Sequence, residues 1–257
     1  MDKLIHQTLN WLVNRWAIKQ NFSFPPKFTW SWKLQMLTDS YEPETTALFK
    51  KIIRPGMVII DIGAHIGYYT RLFARLVGPT GKILAFEPEP DNFRLLQKNT
   101  SRFENIKLFN LAISDQNGKI SFYKVKNSTG CHSVIPQDQA EIINVNATTI
   151  DSFIAREKIK HIDIIKIDIE GGEAKALEGM KNLLKNTQGL KLITEVSSDS
   201  LRSANTTLEA FLKQLHSYGF NIFEILERGQ VRKLSKDDFI KNISLPAKNA
   251  INLLAAK

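Results

Sequence analysis

The chain has 257 residues, of which 43% are hydrophobic and 24% are charged, proportions typical of a protein that buries a substantial core. This composition excludes a disordered or collagen-like chain, and the length suits one large α/β domain with an appendage. The single cysteine, Cys131, excludes an internal disulfide and favours a reducing, cytoplasmic compartment. The net charge of +9 predicts attraction to polyanions or to an anionic membrane surface, although a solvated lysine-rich surface would carry the same charge.

Residues 1–55 are predicted to form an extension that differs from the rest of the chain. Helical spacing of apolar residues predicts a first helix with one apolar face, formed by Ile5, Leu9, Leu12 and Trp16. An aromatic-rich stretch follows at 22–32, where two prolines exclude a central strand, and a second helix is predicted around 44–53. The extension either packs onto the main domain, recognises an acceptor or makes peripheral contact with a membrane surface. No apolar stretch reaches the length that spans a bilayer.

From residue 56 onwards, apolar runs alternate with amphipathic helical segments, which predicts a second unit over 56–257. Runs of strand length lie at 57–62, 82–87, 106–111, 162–168 and 190–196. Repeated strand–helix units of this kind predict a mostly parallel, doubly wound α/β sheet of Rossmann-like form.

Two predicted hairpins depart from this alternation. Segments 119–125 and 142–145 are predicted to be the strands of an inserted hairpin near 114–148, joined by a polar loop. Segments 220–226 and 230–234 predict a C-terminal antiparallel hairpin. This second hairpin is therefore expected to add at least one antiparallel edge strand to the sheet.

The first predicted strand runs into a glycine-containing turn that precedes a helix, with the sequence Asp61-Ile62-Gly63-Ala64-His65-Ile66-Gly67. Glycines in such a turn allow a tight bend and a close approach of the backbone to a ligand. Ala64-His65 stands where a dinucleotide-binding turn has its middle glycine, which counts against NAD or FAD. Asp61 is expected to lie near the ammonium group of a bound cofactor, to cap the turn, or both.

Glu87 ends the second predicted strand, about 20 residues after Gly67, where an acidic side chain accepts the hydroxyls of a ribose in nucleotide cofactors. Pro88 forces the chain out of the strand and so holds the carboxylate at the carboxyl edge of the sheet. A ribose acceptor without a pyrophosphate cradle favours an adenosine with a small charged tail. S-adenosylmethionine fits this description, and a solvent-exposed strand-end glutamate is the alternative.

Three more carboxylates are predicted at the same edge of the sheet. Asp168 and Glu170 follow the fourth parallel strand, and Glu195 ends the fifth. They have three possible roles: stabilising a sulfonium cofactor, accepting a proton from an attacking hydroxyl, or holding a divalent cation. Glu170 lies just before a helix, whose dipole is expected to keep it ionised and a weak base. Because no histidine stands at ligand spacing to another, we expect no metal site.

Together these residues resemble the FkbM-type methyltransferases, a family of S-adenosylmethionine-dependent enzymes. The resemblance covers roughly residues 50–200, and its matching segments are 61–70, 86–88, 110–114, 149–151 and 165–173. The last segment, Ile165-Lys166-Ile167-Asp168-Ile169-Glu170-Gly171-Gly172-Glu173, is the most specific, because a generic Rossmann-like sheet has no reason to carry it. The family usually has asparagine at the position of His65.

The resemblance implies a class I methyltransferase sheet with five cofactor-binding positions: Gly63, Ala64 and Gly67 at the methionine end, Glu87 at the ribose and Ala112 beside the adenine. It also implies O-methylation of a hydroxyl on a sugar, a glycan precursor or a natural product. Two other functions stay open. The charge and the aromatic extension suit an RNA methyltransferase, although nucleic acid is the less expected partner. An NAD-dependent oxidoreductase is disfavoured by the missing glycine.

Overall fold

The computed structural model of the protein describes residues 3–125, 134, 140–235 and 250–257. Its helices are α1 Lys3–Lys19, α2 Trp30–Leu37, α3 Pro43–Ile52, α4 Tyr68–Val77, α5 Pro90–Thr100, α6 Ile150–Arg156, α7 Glu173–Glu178, α8 Lys181–Asn186, α9 Ser198–Ser203 and α10 Leu208–Ser217. Its strands are β1 Val58–Ile62, β2 Lys82–Phe86, β3 Ile106–Phe109, β4 Ala112–Ile113, β5 Gly118–Val125, β6 Ala140–Thr148, β7 Ile164–Ile167, β8 Lys191–Ser197, β9 Asn221–Leu226, β10 Gln230–Lys233 and β11 Ala250–Ala256. Cys131 and the predicted loop of the inserted hairpin lie outside the described residues.

The main sheet confirms the predicted doubly wound α/β architecture. Within the described residues its strand order is β10-β9-β11-β8-β7-β1-β2-β3. Strands β3, β2, β1, β7 and β8 are parallel, so their carboxyl ends meet at one edge. Strands β9 and β10 form the predicted C-terminal antiparallel hairpin, which lies at the other end of the sheet.

Strand β11 is a feature that the sequence analysis missed. It lies between β8 and β9 and runs antiparallel to both. The C-terminal hairpin therefore does not complete the sheet by itself, because β11 joins it to the parallel strands. The segment is rich in alanine, which has little preference for strands, so the free backbone groups of its two neighbours determine its conformation.

Both faces of the sheet are buried, as the apolar strand patterns predict. Alternate residues of β1 point to opposite faces, so Ile59 joins one core and Ile60 the other. The core that contains Ile60 also includes Phe153 and Phe211. The core that contains Ile59 includes Phe73 of α4. Helices therefore cover each face, which holds the strand ends at fixed positions.

The extension packs against one of these cores. Val13, Phe22, Leu37 and Phe49 are buried in the same cluster as the sheet residue Ile59. The predicted helices of the extension are α1 and α3, but the aromatic stretch also begins a helix, α2. The Thr29 hydroxyl caps it by accepting a hydrogen bond from the Trp32 backbone N–H.

The first helix is present as α1, but its predicted apolar face is not the side that packs on the domain. Ile5, Leu12 and Trp16 are 45%, 50% and 38% exposed, whereas Val13 and Ala17 are buried. Apolar residues occur on more than one side of this helix. Their spacing alone therefore does not determine which side packs on the domain.

The inserted hairpin is present as strands β5 and β6, which pair antiparallel. Together with β4 they form a second, three-stranded sheet in the order β4-β6-β5. The segment after β7 forms two short helices, α7 and α8, with a break at Gly179. A Cβ on Gly179 would lie 1.9 Å from the Ser114 carbonyl oxygen, so the hairpin end packs against this break. In the part of the chain that the structure describes, no helix has the length and apolar character needed to span a bilayer.

Candidate functional site

A cavity of about 740 Å³ lies at the carboxyl edge of β1, β2, β7 and β8. Its volume is in the usual range for a small-molecule site. Three parts of the chain form its walls: the strand ends with their turns, the extension and the inserted hairpin. The last two contribute Phe28, Trp32, Tyr41, Glu42, Phe122 and Lys124, among others. The edge of the sheet that was predicted to bind the cofactor is thus enclosed by the extension and the inserted hairpin. Neither segment contains a ligand-binding motif in its sequence.

The turn after β1 passes so close to the end of β7 that only glycine fits at position 63. A Cβ on Gly63 would lie 1.9 Å from the Asp168 carbonyl oxygen, and the Gly63 φ is +75°. The Gly63 N–H donates to the Phe86 carbonyl at 3.0 Å and so ties the turn to β2. Gly63 also lines the cavity. The contact between the strands therefore requires glycine here.

Glu87 is a buried carboxylate in the cavity wall, with only 5% of the residue exposed. Its Oε2 accepts the His65 backbone N–H at 2.8 Å, and its Oε1 accepts the Glu89 N–H at 3.0 Å. Burial raises the pKa of Glu87 to about 7, although these two hydrogen bonds act in the opposite direction. Each carboxylate oxygen can still accept another hydrogen bond. The carboxylate can therefore accept ribose hydroxyls, and S-adenosylmethionine fits this wall.

The other predicted cofactor-binding positions divide into two groups. Pro88 and Ala112 line the cavity. Ala64 and Gly67 are not among its lining residues. The Ala64 N–H donates to the Phe86 carbonyl, and Gly67 precedes α4 with φ +93°. A Cβ on Gly67 would lie 2.8 Å from Leu96 Cδ1. Ala64 and Gly67 therefore shape the turn behind the cavity wall.

Asp61 is completely buried and does not line the cavity. Its Oδ2 accepts a hydrogen bond from the Thr70 hydroxyl at 2.6 Å, and its Oδ1 lies 3.7 Å from Lys166 Nζ. Burial raises the pKa of Asp61, and the nearby Lys166 ammonium opposes that rise. These contacts hold β1 to α4 and β7. Neither contact is with the turn itself, so these contacts differ from the predicted cap, and a place near the cofactor's ammonium group stays a prediction.

Lys166 is a buried cation behind the acidic wall of the cavity. Its Nζ lies 3.2 Å from Asp168 Oδ2 and donates to the Gly63 carbonyl at 3.4 Å. Burial lowers the pKa of Lys166, but the carboxylates of Asp168, Asp61 and Glu42 outweigh burial and leave the pKa raised. The lysine therefore stays charged and fixes Asp168 beside the turn after β1.

Asp168, Glu170 and Glu195 all line the cavity, as their predicted place beyond the strand ends requires. Burial, together with repulsion from Asp168, raises the pKa of Glu170 to about 7 and that of Glu195 to about 8. The prediction that a helix dipole keeps Glu170 ionised is therefore wrong. Glu170 lies in a turn with φ +53°, and α7 has only six residues, so burial and neighbouring negative charge dominate.

Glu42 is a residue of this acidic wall that the sequence analysis missed. It lies just before α3 with φ +44°, and its Oε2 accepts the Tyr69 hydroxyl at 2.8 Å. Burial, followed by repulsion from Asp168, raises the pKa of Glu42. The Glu42-Pro43 sequence signals only the start of a helix. Its place at the cavity depends on the packing of the extension, which no local pattern reveals.

Two further residues near the site are Glu173 and His65. Glu173 is 3% exposed and accepts the backbone N–H groups of Ile169 and Gly171 at 3.3 and 3.2 Å, so it stabilises the turn before α7. His65 lines the cavity with its ring centroid 6.0 Å from that of Phe28. Among the residues that the structure describes, no three acidic or histidine side chains are grouped as metal ligands.

The strand order β3-β2-β1-β7-β8, the antiparallel β11 beside β8 and the cavity at the carboxyl edge define a class I S-adenosylmethionine-dependent methyltransferase. Residues 61–222 match the methyltransferase FkbM domain, and the chain belongs to this family. The resemblance carried by the motifs is confirmed, and an NAD-dependent oxidoreductase is excluded.

Three relatives match between half and about two thirds of the chain. It is 28% identical over 183 residues to the 2-O-methyltransferase NoeI of Sinorhizobium fredii, a match that covers 64% of this chain and 73% of that protein. It is also 28% identical to the hexuronic acid methyltransferase AglP of Haloferax volcanii, over 50% of this chain and 52% of that protein. The 31-O-demethyl-FK506 methyltransferase FkbM of Streptomyces tacrolimicus is 28% identical over 51% of this chain and 62% of its own length.

The fold is also that of a solved member of the family. The crystal structure of methyltransferase FkbM from Methylobacillus flagellatus KT superposes with a TM-score of 0.50 at 15% identity. The superposition covers 96% of this chain and 58% of that protein. At this identity the comparison establishes the fold alone.

Proposed function

We propose that the protein transfers the methyl group of S-adenosylmethionine to a hydroxyl of a sugar, a glycan precursor or a natural product. One observation carries this proposal: Glu170 and Glu195, with pKa values of about 7 and 8, line the same cavity as Glu87 and Gly63. Proton acceptors therefore lie in one cavity with the residues proposed to hold the methyl donor. The relatives named for 2-O-, hexuronic acid and 31-O-demethyl-FK506 methylation support the choice of acceptor.

The donor would be held by Gly63, Glu87, Pro88 and Ala112. Glu87 would accept the ribose hydroxyls while its own position is fixed by two backbone N–H groups. When bound, S-adenosylmethionine supplies a methyl group on a sulfonium, which is already a good electrophile. The main task of the protein is therefore to orient an acceptor oxygen against it.

The acceptor proton would go to Glu170 or Glu195. A sugar hydroxyl is too weak an acid to ionise at neutral pH, so its proton must leave as the new bond forms. Both carboxyls take up protons in the neutral range, and Glu170 contributes to the raised pKa of Glu195. Asp168 is paired with Lys166 and would instead supply a fixed negative charge beside the cationic donor.

The extension and the inserted hairpin would bind the acceptor. They contribute the aromatic residues Phe28, Trp32 and Phe122 to the cavity wall. Phe28 and Trp32 pack edge to face with their ring centroids 5.6 Å apart. Aromatic side chains beside a few carboxylates suit a ligand that combines apolar ring faces with hydroxyl groups.

The test is transfer of labelled methyl groups from S-adenosylmethionine to a panel of hydroxylated glycans and glycosides, with an RNA transcript as a separate arm. We expect labelled glycan, and we expect Glu195→Gln to reduce labelling while Glu209→Gln, an exposed control on α10, does not. Labelling of RNA alone, with a steep loss of binding as salt increases, would instead establish the nucleic-acid alternative.

We also propose that the reaction takes place in the cytoplasm. Support comes from the single cysteine in 257 residues, which leaves no internal disulfide to stabilise the fold outside a reducing compartment. Fractionation of cells that express the protein tests this proposal, and recovery only with secreted or periplasmic proteins would contradict it.

A further inference from the structure

The outward side of α1 exposes a concentrated apolar surface. Its six large apolar side chains are each at least 38% exposed and are Leu4, Ile5, Trp11, Leu12, Trp16 and Ile18. Elsewhere in the described residues, the large apolar side chains with comparable exposure are Trp32, Ile142 and Val231. We call the six α1 residues the outer face. An apolar patch of this kind on one helix marks an interaction surface.

The side of α1 that meets α2 makes polar contacts. Asn10 and Asn14 accept hydrogen bonds from Lys33 Nζ at 3.0 and 2.9 Å, and Lys33 is only 5% exposed. His6 Nδ1 accepts the Trp30 indole N–H at 3.0 Å. A helix that faces water has its polar side chains outside and its apolar side chains inside. In α1 the packed side combines the buried Val13 and Ala17 with these polar contacts, whereas the exposed side carries six large apolar side chains, so water is not the environment that its outer face suits.

The charged residues of the segment 3–38 are all positive. Residues 3–38 contain five lysines and arginines and no aspartate or glutamate. Arg15 and Lys19 are exposed and lie one turn apart on the outward side of α1. The Arg15 guanidinium lies 4.9 Å from the centre of the Trp11 ring. The apolar surface is therefore combined with cations that no carboxylate in α1 neutralises.

We propose that the outer face of α1 binds peripherally to the surface of an anionic lipid bilayer. The apolar side chains enter the boundary between headgroups and acyl chains, where tryptophan is favoured. Arg15 and Lys19 keep their stems along the apolar surface and reach the lipid phosphates. Pairing of two copies through this face would instead bring their Arg15 and Lys19 side chains together. Charge complementarity therefore favours the lipid surface over a second copy.

Vesicle co-sedimentation of the full chain tests this proposal. We expect binding to vesicles that contain phosphatidylglycerol, weaker binding to pure phosphatidylcholine, and release by salt. The variant Leu4→Gln/Trp11→Gln/Ile18→Gln should bind at least about tenfold more weakly, because it removes the apolar contact. The matched control Ile142→Gln/Val231→Gln removes exposed apolar side chains elsewhere and should bind like the wild type.

A second pair of variants separates a local effect from the overall charge. Each of two double variants loses two positive charges. Arg15→Gln/Lys19→Gln loses them on α1, and Arg156→Gln/Lys213→Gln loses them elsewhere. We expect only the first to weaken binding. Equal weakening by both would overturn the assignment to α1, since the whole net charge of +9 would then act without a specific surface.

The remaining outcomes are also decisive. Wild-type protein that stays in the supernatant with both kinds of vesicle contradicts the proposal, as does unchanged binding of the outer-face variant. Sedimentation velocity completes the test: a wild-type dimer that this variant converts to a monomer, without vesicle binding, shows that a second copy covers the face. Circular dichroism melting of each variant confirms that the fold is retained. None of these results depends on methyl transfer.

Discussion

The Asp168 carbonyl oxygen lies 1.9 Å from the point where any other residue at position 63 would place its Cβ. Lys166 reinforces this contact, because its Nζ reaches both the Gly63 carbonyl and the Asp168 carboxylate. The turn proposed to hold the donor and the acidic wall proposed to act on the acceptor are therefore one rigid unit. Their relative position is set by this close approach of the two backbones, to which the Lys166 side chain adds.

We expect Gly63→Ala to destabilise the protein more than Gly189→Ala. Both glycines have a left-handed φ, +75° and +72°, so both substitutions carry a conformational penalty of about 1 kcal/mol. Only Gly63→Ala adds a clash with backbone, which should cost about 1–3 kcal/mol more. Urea denaturation measures the difference. Equal destabilisation by the two substitutions would show that the turn can move away from Asp168.

Replacing Glu170 by glutamine should reduce turnover while donor binding stays nearly unchanged. Glutamine keeps the size of the side chain but cannot accept a proton, and loss of a general base typically lowers kcat by about 100-fold or more. Steady-state kinetics and calorimetry with S-adenosylmethionine measure the two effects separately. Glu209→Gln serves as the exposed control. Turnover equal to that of the wild type would discard Glu170 as the base and leave Glu195.

The rate should increase with pH across the neutral range. Glu170 and Glu195, with pKa values of about 7 and 8, act as bases only when they are deprotonated. We therefore expect kcat/KM of the free enzyme to rise between about pH 6 and pH 9. Glu170→Gln should remove the part of the rise near its pKa. A pH profile that is flat over this interval would contradict the assignment of either carboxyl.

Glu195→Gln should stabilise the protein at alkaline pH. The pKa of Glu195 in the folded protein, about 8, lies above the usual value for an unfolded chain, about 4.3. The wild type therefore loses stability as pH rises through this interval, because burial penalises the ionised carboxylate. The melting temperature of the variant should match the wild type in acid, exceed it increasingly as pH rises above about 4.3, and differ most above about pH 8. A melting temperature that stays below the wild type in alkali would indicate that the carboxylate has a stabilising partner.

Glu87→Ala should weaken donor binding by about 10- to 100-fold, the usual effect of losing hydrogen bonds to a charged group. The backbone N–H groups of His65 and Glu89 would also lose their acceptor, so the turn would loosen. Calorimetry with S-adenosylhomocysteine isolates the binding step from the reaction. Glu104→Ala, at an exposed carboxylate between α5 and β3, is the control. Unchanged affinity in Glu87→Ala would place the ribose elsewhere.

The parallel strands and the residues at their ends could be predicted because each strand is a local apolar run. In a parallel sheet, such runs fix where Glu87, Asp168 and Glu195 emerge without knowledge of any other contact. The hairpins were also predictable from short strand-like segments. For these elements, local pattern and tertiary structure agree.

Other features depend on contacts between distant segments and could not be predicted. Strand β11 forms because β8 and β9 both offer free backbone groups, although its own sequence has little strand preference. Glu42 reaches the cavity only through the packing of the extension. The raised pKa of Glu170 likewise follows from burial and from Asp168, which together outweigh the dipole expected from its position before a helix. In α1, helical spacing identified the helix but not the side that packs.

The position of β11 has a consequence for how the protein folds during synthesis. Residues 250–256 insert between two strands that leave the ribosome earlier, β8 and β9. Until they emerge, the β9–β10 hairpin has no place beside the parallel strands, and β8 presents an open edge. The nascent chain should therefore hold a stable half-sheet and an undocked hairpin, and a premature stop before residue 250 should yield a species prone to edge-to-edge aggregation.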